Sequence, residues 1–260
     1  MIREFVQGVV DRIVPPRDVT ALAAESSRYA DSGCWIAVPV TAHSTPAAEL
    51  GTALHAFSDY GSISVTQVLL DVTHAADERV LDLTGICAVR GVGVLLDARG
   101  YDVDSADVTA HVDRVLALRS LVEQEHAHGH RPGVILAADI RRTVDLCTDL
   151  GDGRVRLVRG RKDPDGGARF SSRAETDKAF IRCARALIRA EGHPCFATRQ
   201  SKLIDLIRDL ALRNGREPDS FEFGFDAGQR ESEQRRLLEA QLHVRVSLTA
   251  AAELLGGVGQ

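Results

Sequence analysis

The chain has 260 residues, a net charge of −5 and an isoelectric point near 6.0. That acidic balance speaks against general nucleic-acid binding. No run of 18 apolar residues is present to cross a membrane, and the mixed-charge opening MIREFVQGVV does not read as a signal peptide.

After a breaker at Pro15-Pro16, Asp18 is placed to cap a helix that runs to about Ser32 and ends at Gly33. Cys34–Val40 (CWIAVPV) is an apolar run between turn residues and predicts a buried strand. Thr45-Pro46 predicts a helix with proline in its first position, reaching about Tyr60. A second strand is expected over Ile63–Leu70 (ISVTQVLL), then a short helix around His74–Leu83. The third strand is Gly91–Asp97, and Ser105 opens a long helix with Val108, Val112, Val115 and Val122 on one face. Its end runs into HAHGHRP, followed by a fourth strand, Gly133–Ala137, and a helix over Arg141–Leu150. The fifth strand, Arg154–Val158, leads through a basic loop to a helix over Ser172–Ala190 that Gly192 stops. Pro194–Thr198, Ser220–Phe225 and His243–Leu248 are the remaining strands, separated by helices over Ser201–Arg213 and Glu231–Glu239.

Eight short apolar strands alternating with helices imply a parallel sheet covered by helices. Closed on itself this is an α/β (β/α)8 TIM-type barrel, with a doubly wound open sheet as the alternative. No low-complexity linker divides the chain, so residues 1–260 read as one domain. The tail AAAELLGGVGQ is short and rich in glycine, so the last helix is expected to be truncated. The five cysteines (Cys34, Cys87, Cys147, Cys183, Cys195) form no CxxC pair, a pattern of reduced core thiols in a cytoplasmic protein.

The fifth strand enters GRVRLVRGRKDP, a loop carrying Arg159, Arg161 and Lys162. A strand followed by a basic turn can hold a phosphate or carboxylate at the carboxyl end of a sheet, the alternative being ordinary solvated charge. Barrels place their ligand groups at those strand ends. Read that way, the ends are Thr66 and Gln67, Asp97 and Arg99, Ala137 to Asp139, Arg156 with Arg159, Thr198 with Arg199, and Glu222. The set suits an anionic cofactor or substrate, although each residue taken singly is as readable as a solvated or locally paired one. His126, His128 and His130 have metal-like spacing but fall in a helix-to-strand loop at the opposite face, so they read as exposed loop and no metal is expected. Gly-x-Ser-x-Gly, Walker and Rossmann patterns are absent, and Gly91-Val92-Gly93 precedes its strand, the wrong context for a dinucleotide turn.

Six segments occur in a familiar order: ISVTQ, GVLLDARG, GVILAADIRRTVDL, VRLVRG, FATRQ and FEFGFDAG. On them the chain resembles the proline dehydrogenase family, FAD-dependent (β/α)8 barrels found alone or within bifunctional proline-utilisation flavoproteins. The resemblance implies FAD as cofactor, with Arg156 and Asp97 as the catalytic pair. It implies a cofactor-binding set of Arg156, Val158, Arg159, Thr198, Arg199, Glu222 and Ala137. Arg156 matches the arginine of the RLVKGAY-like segment, which contacts the flavin near its reactive nitrogen, and Arg159 replaces the lysine three residues on. Asp97, Thr198 and Glu222 match retained positions. Thr66 replaces the second-strand lysine, Ala137 the glutamine that meets the flavin ring, and Lys162 the tyrosine of GAY. Arg199 replaces a histidine and Gly224 the glutamine of FEFQ. Loss of the ring contact at Ala137 is worth about 0.5–1.5 kcal/mol, enough to weaken binding without abolishing it. A YxxRRxxE segment, whose arginines hold the proline carboxylate in the family, does not occur.

The expectation is therefore a diverged flavoenzyme that oxidises a C–N bond of an amine or amino acid other than free proline. Arg156 would favour reduced flavin and Asp97 would orient the substrate amine. The open side suits a larger or carrier-tethered substrate, or a second subunit in a homo-oligomer. Alternation puts Arg154, Arg156 and Val158 on one face, the barrel interior. A guanidinium there needs an anionic ligand or an ion pair with Asp97 or Glu222. The alternative function is a flavin-free relative that binds a phosphorylated or carboxylate ligand.

Overall fold

Eight parallel strands hydrogen-bond in chain order and the last closes on the first. They are β1 (Trp35–Thr41), β2 (Thr66–Asp71), β3 (Gly93–Asp97), β4 (Gly133–Ala137), β5 (Val155–Val158), β6 (Cys195–Ala197), β7 (Glu222–Asp226) and β8 (His243–Ser247). The computed structural model describes residues 18–255 apart from 101–102, 105, 127–130 and 161–166. The expected breaker at Pro15-Pro16, the helix start at Ser105, the loop residues Arg161 and Lys162, and His128 and His130 lie outside the described residues. Pairing of Trp35 with Arg245, Ile36 with Val246 and Ala37 with Ser247 seals the barrel and excludes the open sheet.

The helices are α1 (Val19–Asp31), α2 (Ala47–Asp59), α3 (Asp77–Val89), α4 (Val108–Glu125), α5 (Thr143–Asp149), α6 (Arg173–Arg189), α7 (Ser201–Arg213), α8 (Glu231–Glu239) and α9 (Ala250–Leu255). Their starts follow local chemistry. The Asp18 carboxylate accepts from the Ala21 N–H at 2.8 Å. Ser172 and Glu175 form a reciprocal cap, the hydroxyl accepting from the Glu175 N–H and donating to its carboxylate. In α7, Leu203, Ile204, Ile207 and Ala211 form the buried stripe that turns to the sheet.

Several boundaries differ from expectation. Pro46 is the N-cap residue, one position before the helix, with extended backbone. Ile63–Val65 and Pro218–Ser220 are 3-10 turns, so β2 begins at Thr66 and β7 at Glu222. His74 takes a left-handed φ of 62°, which a helix cannot contain, and α3 therefore starts later, at Asp77. Thr66 and Gln67 thus open β2, and Glu222 opens β7; none of the three stands at the mouth end of its strand.

Alternating strand residues divide the core. Ile36, Val38, Val68, Leu70, Leu96, Leu136, Leu157, Phe196, Phe223 and Val246 belong to the large layer against the helices. Ala37, Leu69, Leu95 and Ile135, with Val158 against them, form a small apolar cluster of their own within the barrel. These come from β1–β4 and the end of β5. Over β5–β8 the interior carries Arg156, Cys195, Glu222, Arg245 and Ser247 instead, with Arg156 bonded to Cys195 and Ser247, and Arg245 to Glu222. One half of the interior is oily and the other is polar.

The amino-terminal end of that polar half is a plugged floor. The Glu222 carboxylate accepts from Arg245 Nε at 2.8 Å, both side chains being almost wholly buried. Arg245 also donates to Ile36 O at 2.8 Å and lies 4.9 Å over the Trp35 ring, which in turn packs on His243 and His193. Burial alone would raise the Glu222 carboxyl, but the Arg245 guanidinium, with Arg154 and His193 beyond it, holds it below its usual value.

His193 makes this floor sensitive to acid. Burial pushes its imidazole down from 6.5 to about 4, against the pull of Glu222 at 4.0 Å and with help from Arg154, His243 and Arg245. The unfolded chain takes up that proton near pH 6.5, the folded one only near 4. His193 therefore withdraws stability as pH falls through that window, and the loss levels off below it. With a quarter of the side chain exposed, the expected loss by pH 5 is about 1–2 kcal/mol. Unfolding free energies from urea melts at pH 7.5 and 5 should differ less in His193→Phe than in the parent, by about that amount. Equal pH dependence in both proteins would rule the imidazole out.

Candidate functional site

Short turns after the strands leave a cavity of about 540 Å³ at the carboxyl ends of the barrel. Leu69, Ile135 and Val158 form its apolar base, and the polar groups stand around them. Of the expected site residues, Asp97, Arg156, Val158, Arg159, Thr198 and Arg199 line this cavity. Ala137 and Glu222 do not. Ala137 is fully buried in the packed core, where its carbonyl accepts from Thr143 Oγ1 at 2.7 Å. Glu222 is at the floor, at the other end of β7 from the mouth.

Arg156 rises from β5 with 5% of its surface exposed. Nη1 donates to Cys195 Sγ at 3.3 Å and Nη2 to Ser247 Oγ at 3.0 Å. The expected alternative, an ion pair with Asp97 or Glu222, is not formed: Asp97 is held by Arg99 and Glu222 by Arg245. No carboxylate among the described residues pairs with Arg156. The guanidinium lies flat against Gly224, where an added Cβ would come within 2.9 Å of its carbon and both terminal nitrogens. A glutamine at that position would meet the arginine, so glycine and this arginine conformation belong together. Burial raises the Cys195 thiol to about 12, despite Arg156 beside it, so the arginine faces a neutral thiol and not a thiolate.

The other arginines are already engaged to different degrees. Arg99 grips Asp97 through Nε and Nη2, and the Arg99 backbone N–H donates to the same carboxylate at 2.8 Å. Arg159 makes a two-pronged pair with Asp177 of α6, at 2.6 and 2.9 Å. Arg199 is exposed and donates to the neutral Gln229 amide at 3.0 Å. Thr198 Oγ1 accepts from the Gln200 N–H at 3.2 Å and turns the chain after β6.

Behind the mouth, Arg169 fastens three loops. It is fully buried, as is Asp139, to which Nη1 donates at 2.7 Å; Nη2 donates to the carbonyls of Arg99 and Gly100. Gly160, at φ 85°, passes so close to Asp139 that a Cβ would fall 1.9 Å from the carboxylate. The turns after β3, β4 and β5 are thereby held in one arrangement. His126, the described member of the histidine triplet, shares a 3.2 Å contact with Thr84 Oγ1 far from this mouth, and no metal-holding group occurs among the described residues.

Sequence reasoning missed Asp71, Asp226, Ser247, Thr41 and Thr249, all of which line the cavity. A signal for the first existed. QVLLD in β2 repeats the GVLLD of β3, an apolar run closed by an aspartate, and FEFGFD in β7 ends the same way.

No protein-family model and no curated protein matches this chain. Solved structures do. Proline utilization A (PutA) from Bdellovibrio bacteriovorus, inactivated by N-propargylglycine, superposes with a TM-score of 0.76 at 14% identity, over 96% of this chain and 32% of that one. A mutant of PutA from Bradyrhizobium japonicum gives 0.68 at 14% identity over 91% and 28%. PutA from Corynebacterium freiburgense gives 0.68 at 17% over 92% and 29%. The chain has a proline dehydrogenase-like fold. It spans about a third of the length of the structures it matches. At these identities the likeness establishes the barrel and its order of elements, while the chemistry of the mouth rests on the residues found there.

Proposed function

We propose that this barrel is a diverged proline dehydrogenase-like flavoprotein, binding FAD without a covalent link and oxidising a C–N bond of an amine or amino acid other than free proline. The observation that carries the reading is Arg156, a guanidinium 5% exposed that faces the cavity without a carboxylate partner among the described residues. A buried cation in that state favours a ligand bearing negative charge, as a reduced flavin ring does. The cavity fits this group in kind: Arg156 and Val158 would lie toward the ring, and Arg199, bonded among the described residues to a neutral amide, is available to a phosphate. Arg159 would contribute through its charge, since its hydrogen-bonding edge is taken by Asp177. When bound, FAD would supply the acceptor for a hydride leaving the carbon beside the amine nitrogen. Asp97, fixed by Arg99, would orient the substrate as an acceptor.

Purified protein should be yellow, or become so on adding FAD, and heat-released supernatant should fluoresce as flavin. Arg156→Ala is expected to remain folded but to bind FAD at least ten-fold more weakly or to be reduced more slowly. A protein that takes up no FAD, or an Arg156→Ala variant that melts lower with flavin binding and reduction unchanged, would overturn the assignment. The flavin-free reading, a barrel binding a phosphorylated or carboxylate ligand, draws on the same arginines and would be left by the first of those outcomes.

A further inference from the structure

The Arg156 guanidinium is fixed in orientation as well as in place. A Cβ added at Gly224 would stand 2.9 Å from its Cζ, Nη1 and Nη2 alike, and a point so placed lies over the guanidinium plane, not in it. The flat group therefore rests face-down on the bare Cα of β7. Its two terminal nitrogens are tied to the strands on either side, Nη1 to Cys195 of β6 and Nη2 to Ser247 of β8. Those ties leave the plane little freedom to tilt.

An added Cβ would point from Gly224 into the barrel, so the guanidinium's other face is turned toward the barrel axis. In the closed order β3 stands opposite β7, between β2 and β4. From that side come Leu69, Leu95 and Ile135, the apolar cluster of the interior. Leu69 and Ile135 line the cavity together with Arg156, Gly224 and Ser247. The base of the mouth thus has a flat cationic face on one wall and aliphatic side chains on the other. A phosphate or a lone carboxylate is best met by a guanidinium edge, where the N–H groups point. A conjugated ring is best met by the face, and its second side by hydrocarbon.

We infer that the base of this mouth takes a flat conjugated ring laid on the free face of Arg156, and that Gly224 is the positioning residue that allows it. The inference rests on the flavoprotein reading and deepens it, the ring being the isoalloxazine of FAD. A cation held against the ring favours its reduced, negatively charged form. Even an alanine methyl at position 224 would lift the guanidinium off β7 and turn its plane. The atoms it meets end a flexible side chain, so the fold should survive the change.

Isothermal titration calorimetry of the full chain with FAD, lumiflavin and ADP tests this, lumiflavin carrying the ring alone and ADP the part of FAD without it. Gly224→Ala should weaken lumiflavin and FAD at least ten-fold and leave ADP unchanged, with a melting temperature like the parent's. Arg156→Lys, which keeps the charge and loses the flat face, should do the same. The double variant should lose no more than either alone, because both changes act on one contact. Bound FAD should also become harder to reduce: each ten-fold loss confined to the reduced form lowers the two-electron potential by about 30 mV. Should Gly224→Ala fail to fold, Arg156→Lys and Ser247→Ala, which releases Nη2, carry the test with the same three ligands. FAD and lumiflavin affinities unchanged in Arg156→Lys, or an equal loss of ADP, would overturn the inference and leave the flavoprotein reading standing. Lumiflavin binding that Arg156→Lys abolishes, in a protein that takes up no FAD, would keep the inference and remove that reading. A protein that takes up neither ring would overturn both.

Discussion

Arg169→Met is expected to lower stability by about 3–5 kcal/mol, the effect of removing one member of a fully buried ion pair. The Arg169 and Asp139 side chains are wholly enclosed, and the same guanidinium satisfies the carbonyls of Arg99 and Gly100. Substitution takes three hydrogen bonds from a region where water cannot replace them at once. For a chain of this length the loss corresponds to a melting temperature about 10 °C lower. Asp139→Leu combined with Arg169→Met should recover part of it, because the buried carboxylate then goes as well. If thermal melting of the single variant matches the parent, the pair is not enclosed as described.

Glu222→Ala should cost a similar amount, about 3–5 kcal/mol, by leaving Arg245 buried at 2% exposure with carbonyls but no counter-charge. Glu222→Gln, which keeps an acceptor, should cost less. The distinctive expectation is at the other end of the barrel, where FAD affinity should be unchanged in Glu222→Gln once the protein is folded. A Glu222→Gln protein that melts normally yet loses flavin would return this residue to the mouth and contradict its place in the floor.

That misplacement shows where sequence reasoning runs short. Gly133–Ala137, Ser201–Arg213 and Glu231–Glu239 have the bounds their residues suggest, because a tight turn or a glycine stands at each edge. Ile63–Val65 and Pro218–Ser220 carry apolar or turn residues that suit a strand's lead-in as well as a 3-10 turn. With the beginnings of β2 and β7 set too early, Thr66, Gln67 and Glu222 were expected at the mouth, and the true ends, Asp71 and Asp226, passed unnoticed. Arg156 was legible because period-two alternation survives an error at a strand's end. Its partners were not, since Cys195, Ser247 and Gly224 come from three other strands and meet it only in the folded barrel. The occupied state of Arg99 and Arg159 was equally hidden: a guanidinium's partner is a matter of rotamer and loop path, not of spacing.

Arg245 bears on how the molecule comes together in time. Its side chain reaches the Ile36 carbonyl across 209 residues of chain, and β8 to β1 is the seam that removes the last pair of exposed sheet edges. A chain emerging from the ribosome would hold β1 early and wait for β8, with two free edges and an unfinished floor throughout. Until β8 is in place, Glu222 lacks its counter-ion and Trp35 its cover. The residues that settle the finished barrel's base are thus the ones whose absence leaves the nascent chain open to edge-to-edge association.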